Sequence, residues 1–413
     1  MSKGSSATVG GRLSNHLFDG LNPAFARVLD RALEEREIST DEAILLFSAS
    51  GQELHSLICV ADELRRRAVG NVVTYVTVRN INFTNICYTG CGFCAFARRI
   101  DDADAQWLSL EEVADRAEEA WQAGATEVCM QGGLHPRMPG SRYRDLVLSV
   151  KERVPEMHVH AFSPFEIWYG AQRRGVSYAD FLTELKEAGL GSLPGTAAEI
   201  LDTEVRQQLT KNKLSAEQWV EIITTAHRLG IRTTSTIMYG HVDRPHHWAQ
   251  HIALLRDIQR DTGGFTEFVP LGFVHYNAPI FLDGFARPGP TEAENLRMHA
   301  VARIMLHRYI PNIQVSWVKL GPQIAQRCLQ AGANDFGGTL MDETISRSAG
   351  AGHGQHMRPQ EFRRLIREIN RVPAQRNTLY ELLRMYDGQS VDASPDGNSG
   401  PVESANSSVT LRV

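Results

Sequence analysis

The chain of 413 residues is long enough for one large domain or two smaller ones, and 42% of its residues are hydrophobic, enough for a sizeable core. Its formal net charge of −5 excludes the broad basic field that recruits nucleic acid, and no stretch reaches the roughly 18 apolar residues of a membrane span. The start of the chain lacks the apolar stretch of a signal peptide, and six cysteines are too few for a disulfide scaffold. We therefore expect a cytoplasmic protein without nucleic-acid or membrane partners.

The two ends of the chain differ in composition from its middle. Residues 1–21 are mostly small and polar, and residues 387–413 are rich in Ser, Asp, Gly, Asn and Pro, so we expect both tails to be disordered. Residues 22–70 predict an N-terminal helical segment, and residues 341–386 are expected to form a C-terminal helical extension. The region between them, 71–340, predicts one large α/β domain.

Strand-like and helix-like segments alternate within this domain. Capping boxes that begin at Ser109 and Ser215 mark helix starts, as one at Ser39 does in the segment before it. The predicted strands are residues 73–83, 126–130, 157–162, 191–194, 233–239, 265–270, 312–317 and 333–336. About eight β-then-α units over roughly 260 residues match a (β/α)8 barrel of the TIM type. A doubly wound sheet is the alternative, but no G-x-G-x-x-G turn follows the first strand.

The most informative motif is a cysteine loop that follows the first predicted strand. Cys87, Cys91 and Cys94 have the spacing C-x3-C-x2-C. Cubane iron–sulfur clusters normally take four cysteine thiolates, so three on one loop would leave one iron with an open position for a ligand. A structural zinc site is the alternative, but no histidine that could complete it lies between Cys87 and His135. The loop therefore favours a reactive iron–sulfur site.

Further polar residues fall at or near the ends of later strands. They are Gln131, Gly132, Gly133, His160, Ser163, Glu166, His241 and Glu267. Chemistry in a (β/α)8 barrel lies at the carboxyl ends of the strands, so these residues are candidates for one site. A lone histidine is more often structural than catalytic, and Ser163-Pro164 is also a good helix start. Structural roles therefore remain open for them.

Six segments of the chain together resemble one branch of the radical S-adenosylmethionine (SAM) superfamily. They are residues 81–96, 127–136, 158–166, 194–201, 238–241 and 264–271. This branch comprises the deazaflavin (Fo) synthase subunits and the aminofutalosine synthases of menaquinone biosynthesis. The chain is most similar to the tyrosine-using Fo synthase subunits of coenzyme F-420 biosynthesis. The resemblance implies the radical SAM (β/α)8 barrel as the fold.

The resemblance also implies two cofactors and the residues that hold them. The three cysteines would hold a [4Fe-4S] cluster, and SAM would chelate the open iron. The residues expected around SAM are Phe93, Gln131, Gly132, Gly133, Ser163 and Glu166. Phe93 would pack near the adenine and the glycine turn would meet the methionine part, although Leu134 stands where an acidic residue often follows that turn.

The reaction implied by the resemblance is a transferase reaction. A 5′-deoxyadenosyl radical takes hydrogen from the amino group of L-tyrosine, and the Cα–Cβ bond breaks to give 2-iminoacetate and a 4-hydroxybenzyl radical. That radical adds to C5 of 5-amino-6-(D-ribitylamino)uracil, and a separate ring-closing radical SAM subunit completes Fo. An electron donor is also required. His160, His241 and Glu267 are the candidate proton acceptors for the tyrosine amine.

Two alternatives remain at this point. The first is an aminofutalosine synthase type of radical SAM enzyme, which uses the adenosyl group of SAM on a different acceptor. The second belongs to another class, a non-catalytic iron–sulfur or zinc module that acts as a sensor or scaffold. A scaffold has no need of three cysteines beside a glycine turn at the mouth of a barrel, so the enzyme is favoured.

Overall fold

The computed structural model describes residues 17–388, so the disorder expected for residues 1–21 and 387–413 falls largely outside it. The longer helices are α1 Pro23–Leu33, α2 Thr40–Phe47, α3 Gly51–Val69, α4 Leu110–Gln122, α5 Arg142–Arg153, α6 Pro164–Arg174, α7 Tyr178–Glu187, α8 Thr203–Leu209, α9 Ala216–Arg228, α10 Pro245–Thr262, α12 Glu292–Leu306, α14 Pro322–Gln330 and α16 Pro359–Glu368. The short helices are α11 Pro279–Leu282, α13 Trp317–Leu320 and α15 Ile345–Ser348. The strands are β1 Val72–Val76, β2 Val78–Asn82, β3 Glu127–Gln131, β4 His158–Ala161, β5 Leu190–Leu193, β6 Arg232–Tyr239, β7 Phe265–Gly272, β8 Asp335–Gly338, β9 Val372–Arg376 and β10 Leu382–Met385.

Helices α1, α2 and α3 precede β1. Helix α2 begins at the predicted capping box, in which the Ser39 hydroxyl accepts from the Glu42 amide and the Glu42 carboxylate accepts from the Ser39 amide. The boxes predicted at Ser109 and Ser215 also form, at the starts of α4 and α9. Helix α2 packs against α10 and helix α3 against α12, so the first helices share the core of the barrel's outer layer.

Parallel strands curl into a barrel, as predicted. Strands β2 to β7 pair in chain order, each parallel to the next. Strands β1 and β2 are separated only by Thr77 and together take the place of the first predicted strand, and β1 pairs in parallel with β8. At that junction the Thr339 hydroxyl donates to the Val78 carbonyl, 2.7 Å away, and accepts from the Val78 amide at 2.9 Å.

The seventh predicted strand is almost absent. Only the bridges Phe268–Ile313 and Gln314–Asp335 connect β7 to β8, so the prediction of a strand over residues 312–317 was wrong for most of its length. From residue 317 the chain is helical, and the Trp317 indole N–H donates to the Gly338 carbonyl at 3.0 Å. Residues 312–317 alternate polar and apolar side chains, the pattern of a half-buried strand, so this pattern could not show that a helix begins at Trp317.

The C-terminal extension is only partly helical, because it ends in a β-hairpin. Strand β9 pairs in parallel with β1, from Val72–Val372 to Val76–Arg376, and antiparallel with β10. The hairpin lies at the amino-terminal end of the barrel strands, where the Thr378 hydroxyl donates to the Glu127 carboxylate at 2.6 Å. Because the pairing joins residues 300 positions apart, no local pattern signals it.

Within residues 17–388, no helix is both long and apolar enough to cross a membrane.

Candidate active site

A cavity of about 440 Å³ runs through the barrel. Its upper end, at the carboxyl ends of the strands, is lined by the cysteine loop, and its lower end is lined by residues of the C-terminal hairpin. The predicted site residues that line it are Cys87, Cys91, Phe93, Cys94, Gln131, Gly132, Gly133, His160, Ser163, Glu166 and Glu267. His241 is the one predicted site residue that does not line it.

The cysteine loop is held in place by three backbone hydrogen bonds, one within the loop and two to other segments. Its own later part contributes one, from the Cys87 amide to the Arg98 carbonyl at 3.0 Å. The segment after β3 receives a bond from the Tyr88 amide to the Leu134 carbonyl, and helix α8 receives one from the Gly92 amide to the Leu209 carbonyl. The loop is therefore a fixed part of the barrel mouth.

The surroundings of the thiols act on their pKa values in two directions. All three cysteines are free, and burial raises the pKa of Cys94 and raises that of Cys91 to about 11. The Lys213 ammonium acts in the opposite direction on both, and the amides of Phe96 and Ala97 donate to Cys94. Thiolates are the metal-binding form, so these donors and this charge fit an iron–sulfur cluster. In the described range, no three His, Cys, Asp or Glu side chains form a group that could hold a single metal ion.

The glycine turn after β3 is required by close packing under the cysteine loop. A Cβ at Gly133 would lie 2.3 Å from the Ile86 carbonyl oxygen, and one at Gly132 would lie 2.6 Å from the Phe83 ring. The Gly133 amide also donates to the Thr84 carbonyl at 2.8 Å. Both positions therefore exclude any larger residue, and the turn fixes how closely the cysteine loop packs on the strand ends.

Ser163 and Glu166 form the helix cap that the sequence offered as their alternative role. The Glu166 carboxylate accepts from the Ser163 amide and hydroxyl, each at 2.7 Å, and the Ser163 hydroxyl accepts from the Glu166 amide. The same carboxylate accepts from the Gly132 amide at 3.0 Å, which ties the start of α6 to the glycine turn. Burial raises the pKa of Glu166 to about 7.

The aromatic residue between the second and third cysteines packs with a cation that the sequence did not single out. The Lys213 ammonium lies 4.9 Å from the centre of the Phe93 ring and 5.6 Å from that of Phe165. It also pairs with the Glu199 carboxylate, while Arg206 lies 3.8 Å from the other Glu199 oxygen. Lys213 follows helix α8 in a Lys/Asn turn, so nothing in its local sequence marked it as part of the site.

The two predicted histidines have different surroundings. His160 faces the cavity, and its Nδ1 lies 2.7 Å from the Ser192 hydroxyl. Burial lowers the pKa of His160 to about 3, so the ring is neutral at pH 7. His241 uses both ring nitrogens within its own loop, since Nε2 contacts the Met238 carbonyl at 2.9 Å and Nδ1 accepts from the Val242 amide at 2.8 Å. This placement favours a structural role for His241.

Glu267 lies at the lower end of the cavity, far from the cysteine loop. Its Oε2 accepts from Gln314 at 2.9 Å and from the Tyr380 hydroxyl, and it lies 3.5 Å from Arg376. Arg376 also binds Asp335 through two of its nitrogens, at 2.5 and 3.0 Å. The sequence analysis missed the hairpin side of this network, because strands β7, β8 and β9 meet only in the fold.

The barrel and its cysteine loop define the class of protein. Residues 81–255 match the family model of the radical SAM superfamily, and residues 262–388 match the CofH/MqnC C-terminal region. Among solved structures, methylornithine synthase (PylB) is similar with a TM-score of 0.66 and 19% identity, over 84% of this chain and 97% of that chain. The maturase HydG from Carboxydothermus hydrogenoformans has a TM-score of 0.68 and 15% identity, over 90% of this chain and 84% of that chain. These likenesses show the fold.

Curated relatives define the family more narrowly. The FO synthase of Streptomyces coelicolor is 57% identical over 86% of this chain, and that of Mycobacterium tuberculosis H37Rv is 59% identical over 83%. The chain spans about two fifths of their length, 41% and 40%. The 5-amino-6-(D-ribitylamino)uracil–L-tyrosine 4-hydroxyphenyl transferase of Methanothermobacter thermautotrophicus is 50% identical over 86% of this chain and 96% of its own length. The chain belongs to the radical SAM family that contains these proteins.

Membership decides two of the questions left open by the sequence. The chain is a radical SAM enzyme, so a non-catalytic iron–sulfur or zinc module is not supported. Its cofactors are accordingly a [4Fe-4S] cluster and SAM. The aminofutalosine synthase alternative is not favoured, because the relatives named here are FO synthases and the tyrosine transferase.

Proposed function

We propose that the chain transfers the 4-hydroxybenzyl group of L-tyrosine to C5 of 5-amino-6-(D-ribitylamino)uracil, a step in Fo synthesis. The products are the benzylated dihydrouracil, 2-iminoacetate, methionine and 5′-deoxyadenosine. The observation that carries this proposal is the 50% identity to the Methanothermobacter transferase along 96% of that protein. A likeness of the barrel alone would not support it, because a fold does not define a substrate.

The residues at the upper end are proposed to hold the cofactors. Cys87, Cys91 and Cys94 would hold the cluster, and SAM would lie among the residues that line the cavity beside them, which are Phe93, Gln131, Gly132, Gly133, Ser163 and Glu166. When bound, the two cofactors supply the one-electron chemistry that starts the reaction. The fixed loop would help to keep solvent away from that chemistry, which protects a reactive intermediate.

His160 is proposed to orient substrate and not to store a proton. A base whose conjugate acid has a pKa of about 3 binds a transferred proton only weakly, so it is a poor general base at pH 7. A neutral imidazole fixed by Ser192 can still accept or donate one hydrogen bond across the cavity. No proton-transfer role is proposed for His241, whose two ring nitrogens are engaged.

Further partners are part of the same proposal. An electron donor must reduce the cluster, and a second catalytic unit must close the ring of Fo. The FO synthases extend well beyond the region that this chain matches, so such a unit has room in those proteins. We place the protein in the cytoplasm, since a reducing compartment keeps cysteine thiols free.

The test is an anaerobic reaction of the reconstituted protein with SAM, dithionite, L-tyrosine and the diaminouracil. Mass spectrometry would follow 5′-deoxyadenosine and the benzylated uracil, and iron and sulfide analysis would measure cluster loading. The proposal expects one adduct for each tyrosine that is cleaved. Formation of 5′-deoxyadenosine without any adduct would reject the proposed substrates while leaving the class of enzyme intact.

A further inference from the structure

The lower end of the cavity contains two buried carboxylates that each keep one free oxygen. Glu127 and Glu267 are both 6% exposed and both line the cavity. Oε2 of Glu127 accepts from Thr378, and Oε2 of Glu267 takes all the contacts described above. No residue in the described range bonds to Oε1 of either side chain, and neither atom is sealed away from the cavity. Buried acceptors without partners are costly, so a ligand that donates hydrogen bonds would stabilise them.

The C-terminal hairpin closes this end and holds the carboxylates in position. Thr378 comes from the hairpin and orients Glu127, the first residue of β3. Arg376 comes from β9, and its charge is engaged mainly by Asp335, with Glu267 at 3.5 Å. The arginine therefore holds the hairpin on the barrel and leaves the two free carboxylate oxygens uncompensated.

The charge of the lower end selects the kind of ligand that fits. Arg376 pairs with Asp335 and lies 3.5 Å from Glu267, and Glu127 lines the same cavity. A ligand carboxylate would meet two carboxyl groups here, whereas hydroxyl and N–H groups would find carboxyl oxygens that can accept their hydrogen bonds. The amino-acid carboxylate of tyrosine is therefore disfavoured at this end, and a neutral polyol is favoured.

The depth of the cavity indicates which part of a substrate reaches this end. Strand β3 runs from Glu127 up to Gln131, four residues, or about 13 Å at the usual rise of a strand. The glycine turn that supports the cysteine loop follows directly. A group at Glu127 is thus remote from the chemistry, so only a non-reacting part of a substrate belongs there.

We propose that Glu127 and Glu267, oriented by Thr378 and the hairpin, bind the polyhydroxylated ribityl chain of the uracil substrate and direct its ring toward the cysteine loop. This inference rests on the proposed function and names the end of the cavity that recognises one of its two substrates. Glu127 and Glu267 are then specificity-determining residues for the polyol. Tyrosine and SAM occupy the upper end.

The test combines a change in the protein with a change in the ligand. The variants are Glu127→Gln and Glu267→Gln, and the matched control is Glu221→Gln, an exposed carboxylate on helix α9. The ligands are the ribityl diaminouracil and an analogue with a methyl group in place of the ribityl chain. Binding is measured by calorimetry on the cluster-loaded protein with SAM and without reductant, so no turnover occurs.

We expect the wild type and Glu221→Gln to prefer the ribityl compound by about tenfold or more, the size of one charge-assisted hydrogen bond. Glu127→Gln and Glu267→Gln should each lose about tenfold in affinity for that compound and little for the methyl analogue. In turnover, KM for the diaminouracil should rise about tenfold, and KM for tyrosine should rise less. Thermal melting checks that each variant is folded.

Two outcomes would overturn the inference and leave the proposed function standing. One is adduct formation by the wild type with variants that keep the full preference for the ribityl compound. The other is an equal loss of affinity for both ligands, which would indicate a structural role for the carboxylates. A wild type that neither binds the diaminouracil nor forms the adduct would reject the proposed function together with this inference.

Discussion

The two ends of the cavity come from different stretches of the chain and carry different chemistry. The cysteine loop, the glycine turn and the Ser163–Glu166 cap all lie within residues 81–255, which match the superfamily model. Glu267, Gln314, Arg376 and Thr378 lie within 262–388, which match the narrower CofH/MqnC model, and Glu127 is the exception. Under the two proposals above, the radical chemistry and the choice of acceptor would be largely separate parts of this barrel.

Loss of a cysteine should give the largest effect and should be confined to the upper end. We expect Cys91→Ala to lose the cluster and to form no detectable 5′-deoxyadenosine, because two thiolates and an open position hold a cluster poorly. Cys59→Ala on helix α3 is the control, since this cysteine lies outside the cavity. Iron content and 5′-deoxyadenosine are the measurements, and a Cys91→Ala protein that still cleaves SAM would contradict the assignment.

Removal of Arg376 should destabilise the lower end of the cavity without loss of iron from the upper end. In Arg376→Met the Asp335 carboxylate loses its cation while fully buried, which costs about 3–5 kcal/mol of the free energy of unfolding. Urea unfolding measures this loss, with Arg384→Met on the exposed strand β10 as the control. If the ends are independent, the folded variant should bind as much iron as the wild type. A parallel loss of iron would show that the hairpin supports the cysteine loop.

Enlargement of the glycine turn should disturb the cysteine loop directly. In Gly133→Ala the new methyl group would lie 2.3 Å from the Ile86 carbonyl oxygen and 2.9 Å from Cys87, so the loop must move. Overpacking of this kind costs about 1–3 kcal/mol, and we expect a lower iron content as well. Gly352→Ala is the control, because a methyl group there meets no atom within 4 Å. Full iron loading in Gly133→Ala would show that the loop tolerates the shift.

Substitution of His160, which lines the cavity, should give the smallest effect, a change in how stability depends on pH. His160 has a lowered pKa in the fold, so the unfolded chain takes up a proton below pH 6.5 that the folded chain refuses until about pH 3. The stability that His160 contributes is therefore present at pH 7 and is lost as the pH falls. Between pH 7 and pH 5 this amounts to about 2 kcal/mol.

The measurement is the free energy of unfolding in urea at both pH values. His160→Gln should show a smaller drop from pH 7 to pH 5 than the wild type, by up to that amount. His246→Gln, on the first turn of helix α10, is the matched control. An equal drop in His160→Gln would mean that the ring is already protonated, or exchanges with solvent, in the folded protein.

The features that the sequence predicted well are those whose parts lie close together in the chain. The capping boxes at Ser39, Ser109 and Ser215 each span four residues, and all three form. The cysteine spacing spans eight residues and brought the correct superfamily with it. Both depend on local geometry, which a short stretch of chain sets by itself.

Two other predictions depended on how the chain packs around the residues concerned. His241 follows a strand as a site residue would, yet its ring nitrogens bind the carbonyl of Met238 and the amide of Val242, and the ring does not face the cavity. Residues 312–317 alternate polar and apolar side chains as a strand does, but they make only two bridges. In each case the outcome depends on which neighbour completes the hydrogen bonds, and the hydrophobic pattern does not contain that information.

By itself, the sequence determined the cysteine loop, the alternation of strands and helices, and through them the class of enzyme. Only the tertiary structure decided which residues line the lower end of the cavity. Glu127, Glu267, Asp335 and Arg376 lie up to 249 positions apart and meet because β9 pairs with β1 and carries the arginine into the barrel. Long-range pairing of this kind is set by the packing of the whole fold, since the bonded oxygen of each glutamate finds its partners only when distant residues arrive.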